Sequence, residues 1–205
     1  MKDVSIKKTN GYYHVQACSA GSNRFLKTNN ERAFVGVQIQ QLLAARSVLE
    51  DPLYAKSLAH HIDLLAFSIT EQGIQHLAYC IDVSSLHHLM DILMERLAQY
   101  RSEYRQYAPQ PDASIIIRRL LGEHEALSLS ATIHLLHKDW EYDRYSSIGF
   151  YLHDRRGDWM KLWRLTKLYD NDVSAYRRFM KHAQKIALSL HSKEFQPDYD
   201  RVINA

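Results

Sequence analysis

HIDLLAFSIT (61–70), EQG (71–73) and IQHLAYCID (74–82) are two apolar stretches of strand length around a short turn ending in glycine. That pattern predicts a β-hairpin. Working upstream, GYYHVQACS (11–19) is rich in strand formers and predicts a first strand. Asn29 or Asn30 is placed to cap a helix starting near Glu31. Val35, Ile39, Leu42 and Leu43 recur at helical spacing, so that helix is expected to run to about Leu49, where Asp51-Pro52 breaks it. Downstream, Ser84 or Ser85 is placed to cap a helix carrying Leu86, Leu89, Leu93, Leu97, Tyr100 and Tyr104 on one face, ended by Pro109 and Pro111. The β-α-β-β-α order predicts an α+β fold, an antiparallel sheet with helices on one face. Beyond it the chain reads as helical. Asp112 would cap ASIIIRRLLG (113–122), and EHEALSLSATIHLLHKD (123–139) follows. WEYDRYSS (140–147) connects to helices around 157–169 and 172–190. Residues 1–108 are thus expected to form an α+β core and 109–205 a helical continuation packed on it as one domain.

Bulk properties narrow the class. The 205 residues are 46% hydrophobic and 24% charged, ordinary for a globular chain able to bury a core. No apolar run approaches the ~20 residues of a membrane span, and the N-terminus lacks a secretory apolar segment. Cys18 and Cys80, the 2 cysteines, suggest neither a metal cage nor a disulfide scaffold, so a cytoplasmic location is expected. A formal charge of +3 does not by itself mark a nucleic-acid binder; clustering matters more than the sum.

Three stretches in order carry a resemblance. They are YYHVQACSAGSNRFLKTNNERAFV (12–35), LLAFSITEQGIQHLAYCID with SSLHHLMDILMERLAQYRSEY (64–104), and YDRYSSIGFYL with DWMKLWRLTKLYDNDVSAYRRFMKH (142–182). Together they resemble the REP-associated tyrosine transposases, a bacterial branch of the HUH single-strand transposases. The resemblance implies a ferredoxin-like antiparallel sheet with a helical C-terminal extension that grips a DNA hairpin and its single-stranded flank. It also implies two histidines at i, i+2 on one strand face holding magnesium or manganese, and a helix-borne tyrosine that attacks the scissile phosphate.

The chain departs from that pattern at the chemistry. Aligned through Ala66-Phe67-Ser68-Ile69, the two histidine positions fall on Gly73 and Gln75. A turn one residue longer puts them on Ile74 and His76 instead. Neither register restores the pair, and His76 is the possible remnant ligand. The tyrosine position falls on Thr132 in ATIHLLHKD, a much weaker nucleophile. No catalytic residue, metal site or cofactor is therefore expected. Replacing Gly73 and Gln75 by histidine and Thr132 by tyrosine is the expected route to rescue. Other histidines make poor ligand sets. His60-His61 and His87-His88 are sequence neighbours, and His134 and His137, at i, i+3, lack a third ligand. Tyr142 and Tyr145 lie closest to Thr132 but are read as packing groups.

Basic residues cluster in the second half, as Arg118-Arg119, Arg155-Arg156 with Lys161 and Arg164, and Arg177-Arg178 with Lys181 and Lys185. Trp159, Trp163, Tyr176 and Phe179 lie among them, an interleaving suited to stacking bases and holding phosphates. Arg118, Arg119, Arg155, Arg156, Trp159, Lys161, Arg177, Arg178 and Lys181 are the expected nucleic-acid contacts. The expected function is recognition of hairpin or single-stranded DNA, with RNA as a variant and with the cleavage machinery lost. The competing classes are an active transposase using a divalent metal and a tyrosine, and a protein-interaction module. No membrane partner is expected, and the protein is expected to be a monomer or homodimer.

Overall fold

The computed structural model describes residues 10–19, 24–44, 58–104, 113–153, 155 and 157–191. Within them β1 (Gly11–Ser19), α1 (Asn29–Leu43), β2 (Ile62–Ile69), β3 (Gly73–Cys80), α2 (Ser84–Glu103) and β4 (Ala113–Arg119) follow in order. The strands pair antiparallel as β2-β3-β1-β4. This β-α-β-β-α-β chain with its outer strands contributed last by each half is the ferredoxin-like arrangement. The rest is α3 (Glu123–His134), α4 (Ile148–Leu152), α5 (Trp163–Thr166) and α6 (Val173–His191), with 3₁₀ turns at Trp140–Tyr142 and Lys167–Tyr169. No helix among the described residues is long and apolar enough to cross a membrane.

The hairpin forms where its turn chemistry places it. Thr70 donates its amide to the Gly73 carbonyl at 2.8 Å, and its hydroxyl accepts from the Gln72 and Gly73 amides at 3.2 Å. A bulge between Leu64 and Ala66 resets the alternation of β2. Leu64 and Phe67 therefore enter one core, and Leu65 and Ala66 the other.

Several local expectations need correction. The segment 113–119, expected to be helical from an Asp112 cap, is the edge strand β4, paired with β1 from Tyr13↔Arg119 to Ser19↔Ala113. The β-branched run Ile115-Ile116-Ile117 loses χ1 freedom in a helix and fits a pleated surface. Its alternation is visible, with Ile115 and Ile117 against the core and Ile116 51% exposed. The cap of α1 is Thr28, not Asn29 or Asn30: Thr28 and Glu31 form a capping box. At α2, neither Ser84 nor Ser85 caps. The Asp82 carboxylate accepts from the Ser84 amide at 3.1 Å. Helix α3 stops at His134 rather than running to 139, and in 157–169 only Trp163–Thr166 is α-helical. Helix α1 ends at Leu43 with Ala44 as its C-cap, short of the expected Leu49, and the expected breaks at Asp51-Pro52, Pro109 and Pro111 lie outside the described residues.

Helices cover the sheet in two groups. Val35, Ile39 and Leu42 of α1, with Leu86, Leu89 and Leu93 of α2, pack on Val15, Ala17, Ile69 and Ile74 of one face, here the first face. The C-terminal extension covers part of the second face. There Ala126, Leu129 and Ile133 of α3, Tyr151 of α4 and Tyr176 and Met180 of α6 pack on Leu65, Ala66 and Leu77. The outer edge of β2 is also closed. The Ile69 amide donates to the Tyr145 carbonyl and the Ser147 amide to the Phe67 carbonyl, both at 2.9 Å. Satisfying these edge groups removes a template for strand addition and fixes the segment 145–147 beside the sheet.

Candidate nucleic-acid interface

The two positions of the expected metal pair lie on the second face. Gln75 sits opposite Gln16 and Ser68, half-buried, with its side-chain oxygen 3.2 Å from His14 Nε2. Gly73 lies two residues along, where the backbone admits no side chain: a Cβ there would stand 2.2 Å from the Ala17 carbonyl oxygen. The glycine is thus required by the close approach of β1, and histidine at 73 would force the strands apart. That contact stands against the triple-substitution rescue. His76 belongs to the first face, opposite Val15 and Phe67. It is buried, its Nε2 has no hydrogen-bond partner, and desolvation lowers its pKa to about 3. It points away from Gln75.

The nucleophile position is equally bare of chemistry. Thr132 is exposed on α3, and its hydroxyl donates to the Ser128 carbonyl one turn back at 3.3 Å. Its neighbour His134 is wholly buried. It shares hydrogen bonds with Ser147 Oγ at 2.7 Å and the Tyr176 hydroxyl at 3.0 Å, and burial lowers its pKa to about 3. Ser147 Oγ in turn accepts from the Phe67 amide at 2.8 Å. This serine–histidine–tyrosine chain has no access to solvent and ties α3, α4 and α6 to β2. His137 faces elsewhere, 3.3 Å from Asp143. Among the described residues no three His, Cys, Asp or Glu side chains gather as a metal-binding group.

Most of the expected phosphate contacts are already engaged. Arg118 pairs with Glu125 at 2.7 Å, and Arg119 donates to the Asn10 carbonyl at 3.2 Å. Lys161 Nζ donates to the Asp158 carbonyl at 2.6 Å, and Lys181 lies 3.7 Å from Glu141. Arg178 is exposed, 3.5 Å from Asp172, while Arg177 is half-buried. Arg156 lies outside the described residues. Of the interleaved rings, Tyr176 is 1% and Trp159 8% exposed, Phe179 is half-buried, and Trp163, 53% exposed, reaches furthest into solvent. Trp159 precedes α5 and Trp163 begins it, so the two do not share a helix face.

A different site does bring cations and rings together. Between α1 and the segment 144–159 runs an open groove of about 450 Å³, on the first-face side of β2. Arg32, Arg144 and Arg155 line it with Phe67, Tyr145, Phe150 and Trp159, and no Asp or Glu among the described residues does. The Arg32 and Arg144 guanidinium carbons each lie 4.8 Å from the Tyr145 ring centre. Arg32 is held by the Asn29 side chain, and the Tyr145 hydroxyl donates to the Asn29 carbonyl at 3.3 Å. Arg155 lies across Gly149, where a Cβ would come within 2.8 Å of its Cδ and Nε. The first residues of α1, Asn29 and Asn30, form the rim and add the positive end of a helix dipole. Two carboxylates near the groove are engaged elsewhere: Glu31 is buried on Arg101 at 2.5 Å, and Asp143 accepts from the Tyr145 amide at 2.9 Å and lies 3.3 Å from His137. Arg101 also donates to the Phe25 carbonyl at 2.5 Å, so this pair fixes the start of α1 and with it one wall of the groove.

Of the expected contacts, Arg155 and Trp159 enter this groove. Arg32, Arg144 and Tyr145 escape a linear reading as ligand contacts, because α1 and the connector meet only in the folded chain. The one local trace is the Arg144-Tyr145 neighbour pair inside WEYDRYSS. No protein-family profile, no curated protein and no solved structure matches the chain. Fold and groove together define an α+β protein with a ferredoxin-like sheet and a cationic, ring-lined cleft.

Proposed function

We propose that the protein binds single-stranded or hairpin nucleic acid and does not cut it. The observation that carries this reading is the groove: three arginines and four aromatic rings, with no carboxylate lining it among the described residues. Guanidinium groups hold phosphates and rings take bases, the combination that single-strand binding uses. The resemblance to the REP-associated tyrosine transposases favours DNA and a hairpin with an unpaired flank. Two independent features support the lack of cutting. Position 73 has no room for a ligand side chain, and Thr132 spends its hydroxyl on its own helix.

The test is fluorescence anisotropy of a labelled DNA hairpin with a single-stranded flank across a salt series, with the RNA counterpart alongside. Each phosphate contact on a single strand contributes about 0.7 to the slope of log affinity against log salt. Replacing Arg32, Arg144 and Arg155 together with alanine should lower affinity and flatten the slope by about 2 units. Unchanged affinity and slope in that variant would overturn the reading. Stronger binding of the RNA hairpin would reassign the ligand to RNA.

A further inference from the structure

We infer that the groove is a pocket for one unpaired nucleotide, whose base enters between α1 and the ring wall while its phosphate meets Arg32, Arg144 and Arg155. The inference rests on the nucleic-acid reading and narrows it from a surface to a single seat. A volume of about 450 Å³ lies at the small end of the ~300–1,000 Å³ that hold small-molecule ligands. It admits a nucleotide and excludes a duplex. The walls are unlike a simple anion site. Phe150 and Trp159 meet edge to face at 5.4 Å, Phe67 lies 5.9 Å from Trp159, and Val37 is half-exposed opposite. Those groups offer nothing to a bare phosphate, while Tyr145 and Phe150, the less buried rings of the groove, offer apolar surface to a base. The charge is equally specific. Arg32 keeps its Nε buried with no hydrogen-bond partner, and neither Arg32, Arg144 nor Arg155 has an ion pair among the described residues. An acidic peptide would satisfy the guanidinium groups and leave the rings idle.

Two glycines allow the seat to be altered without changing its charge. Gly36 lines the groove, and a Cβ there meets only Ile69 Cδ1 at 3.6 Å, an ordinary contact. Gly36→Trp therefore extends a bulky side chain into the cleft from a helix position that tolerates substitution. Gly149→Ala instead pushes on Arg155, a flexible side chain that moves in preference to backbone.

The experiment uses the full chain and a DNA hairpin carrying 2-aminopurine in its unpaired flank, with a blunt hairpin as comparison. Deoxyadenosine monophosphate, adenosine and inorganic phosphate serve as competitors. The expected result is quenching of the flank base on binding and weaker binding of the blunt hairpin. Only the monophosphate should displace the base at concentrations where adenosine and phosphate do not. Gly36→Trp should abolish quenching and lower affinity about tenfold, within the range one stacked base supplies. Gly149→Ala should weaken binding several-fold, and it decides the matter alone should Gly36→Trp fail to fold. Phosphate competing as well as the monophosphate would reduce the groove to an anion site and overturn the inference. Loss of binding in the arginine variant but not in either glycine variant would also overturn it, while leaving nucleic-acid binding in place. Binding insensitive to all these changes would overturn both.

Discussion

Mild acid should destabilise this protein, and two histidines set the size of the effect. His76 and His134 are both buried, and desolvation lowers each pKa from 6.5 to about 3. In the unfolded chain each returns to an ordinary pKa near 6.5. Between about 3 and 6.5 the unfolded state therefore binds more protons than the folded one. A base whose folded pKa is depressed contributes stability that is full above 6.5 and is lost as pH falls below it. One unit below 6.5, each histidine costs about 1.4 kcal/mol, so the pair removes about 3 kcal/mol between pH 7.5 and 5.5. That is a large share of the ~5–15 kcal/mol typical of a domain. His14, lowered by its own burial, acts in the same direction. The carboxylates do not confound the window. Asp82 is lowered by the Ser84 hydroxyl and amide, and Glu123 by the Lys167 ammonium, so both lose their contribution only below the ordinary carboxylate range. The assay is urea unfolding at pH 7.5, 6.5 and 5.5, following the midpoint. His76→Leu supplies the control, because its Nε2 has no partner to lose. It should stay within about 1.5 kcal/mol of the unaltered protein at pH 7.5 and lose about half of the pH dependence. A midpoint that is flat from pH 7.5 to 5.5, or a dependence unchanged in His76→Leu, would refute the reasoning.

Three further outcomes follow from the same geometry. Arg101→Met leaves the Glu31 carboxylate buried without its ion partner and should cost about 3–5 kcal/mol in urea unfolding; loss of the α1 capping geometry should weaken hairpin binding in step. With magnesium or manganese, labelled hairpin DNA should give no covalent adduct and no cut strand on a denaturing gel. Gly73→His should lower the melting temperature rather than create a metal site, so manganese should bring no recovery of stability, and recovery would show that β1 can yield at Ala17.

What the sequence made legible was local. The hairpin at 61–82 is readable because alternation and the Thr70–Gly73 turn are encoded within a few residues. Strand β4 is not, because Ile115-Ile116-Ile117 suits either element until the open edge of β1 selects one. The rings at Trp159 and Tyr176 misled for a related reason: flanking charges mark a surface segment, while the ring itself turns into a core assembled from distant elements. The groove lay beyond a linear reading altogether, since Arg32 meets Arg144 and Arg155 only after α1 and the connector have closed the two sides of β2.

That separation makes the two faces of the sheet independently variable. Gln75 and Gly73 occupy the second face at the β1–β3 contact, while the groove rests on Phe67 and Ile69 of the first face. Successive residues of one strand point to opposite faces, so a change at the second-face positions leaves the first-face positions of β2 in place. The close approach of β1 to Gly73 therefore places no constraint on Arg32 or Tyr145. The groove depends instead on the Thr28–Glu31–Arg101 network at the start of α1 and on the edge bonds of Tyr145 and Ser147 to β2. Substitutions in those two sets should impair nucleic-acid binding where substitutions at Gln75 and Thr132 do not. Measuring hairpin affinity for Gln75→Ala and Thr132→Ala beside Arg101→Met checks this division. Equal losses in all three would mean that nucleic acid crosses both faces of the sheet and that the two sites are one.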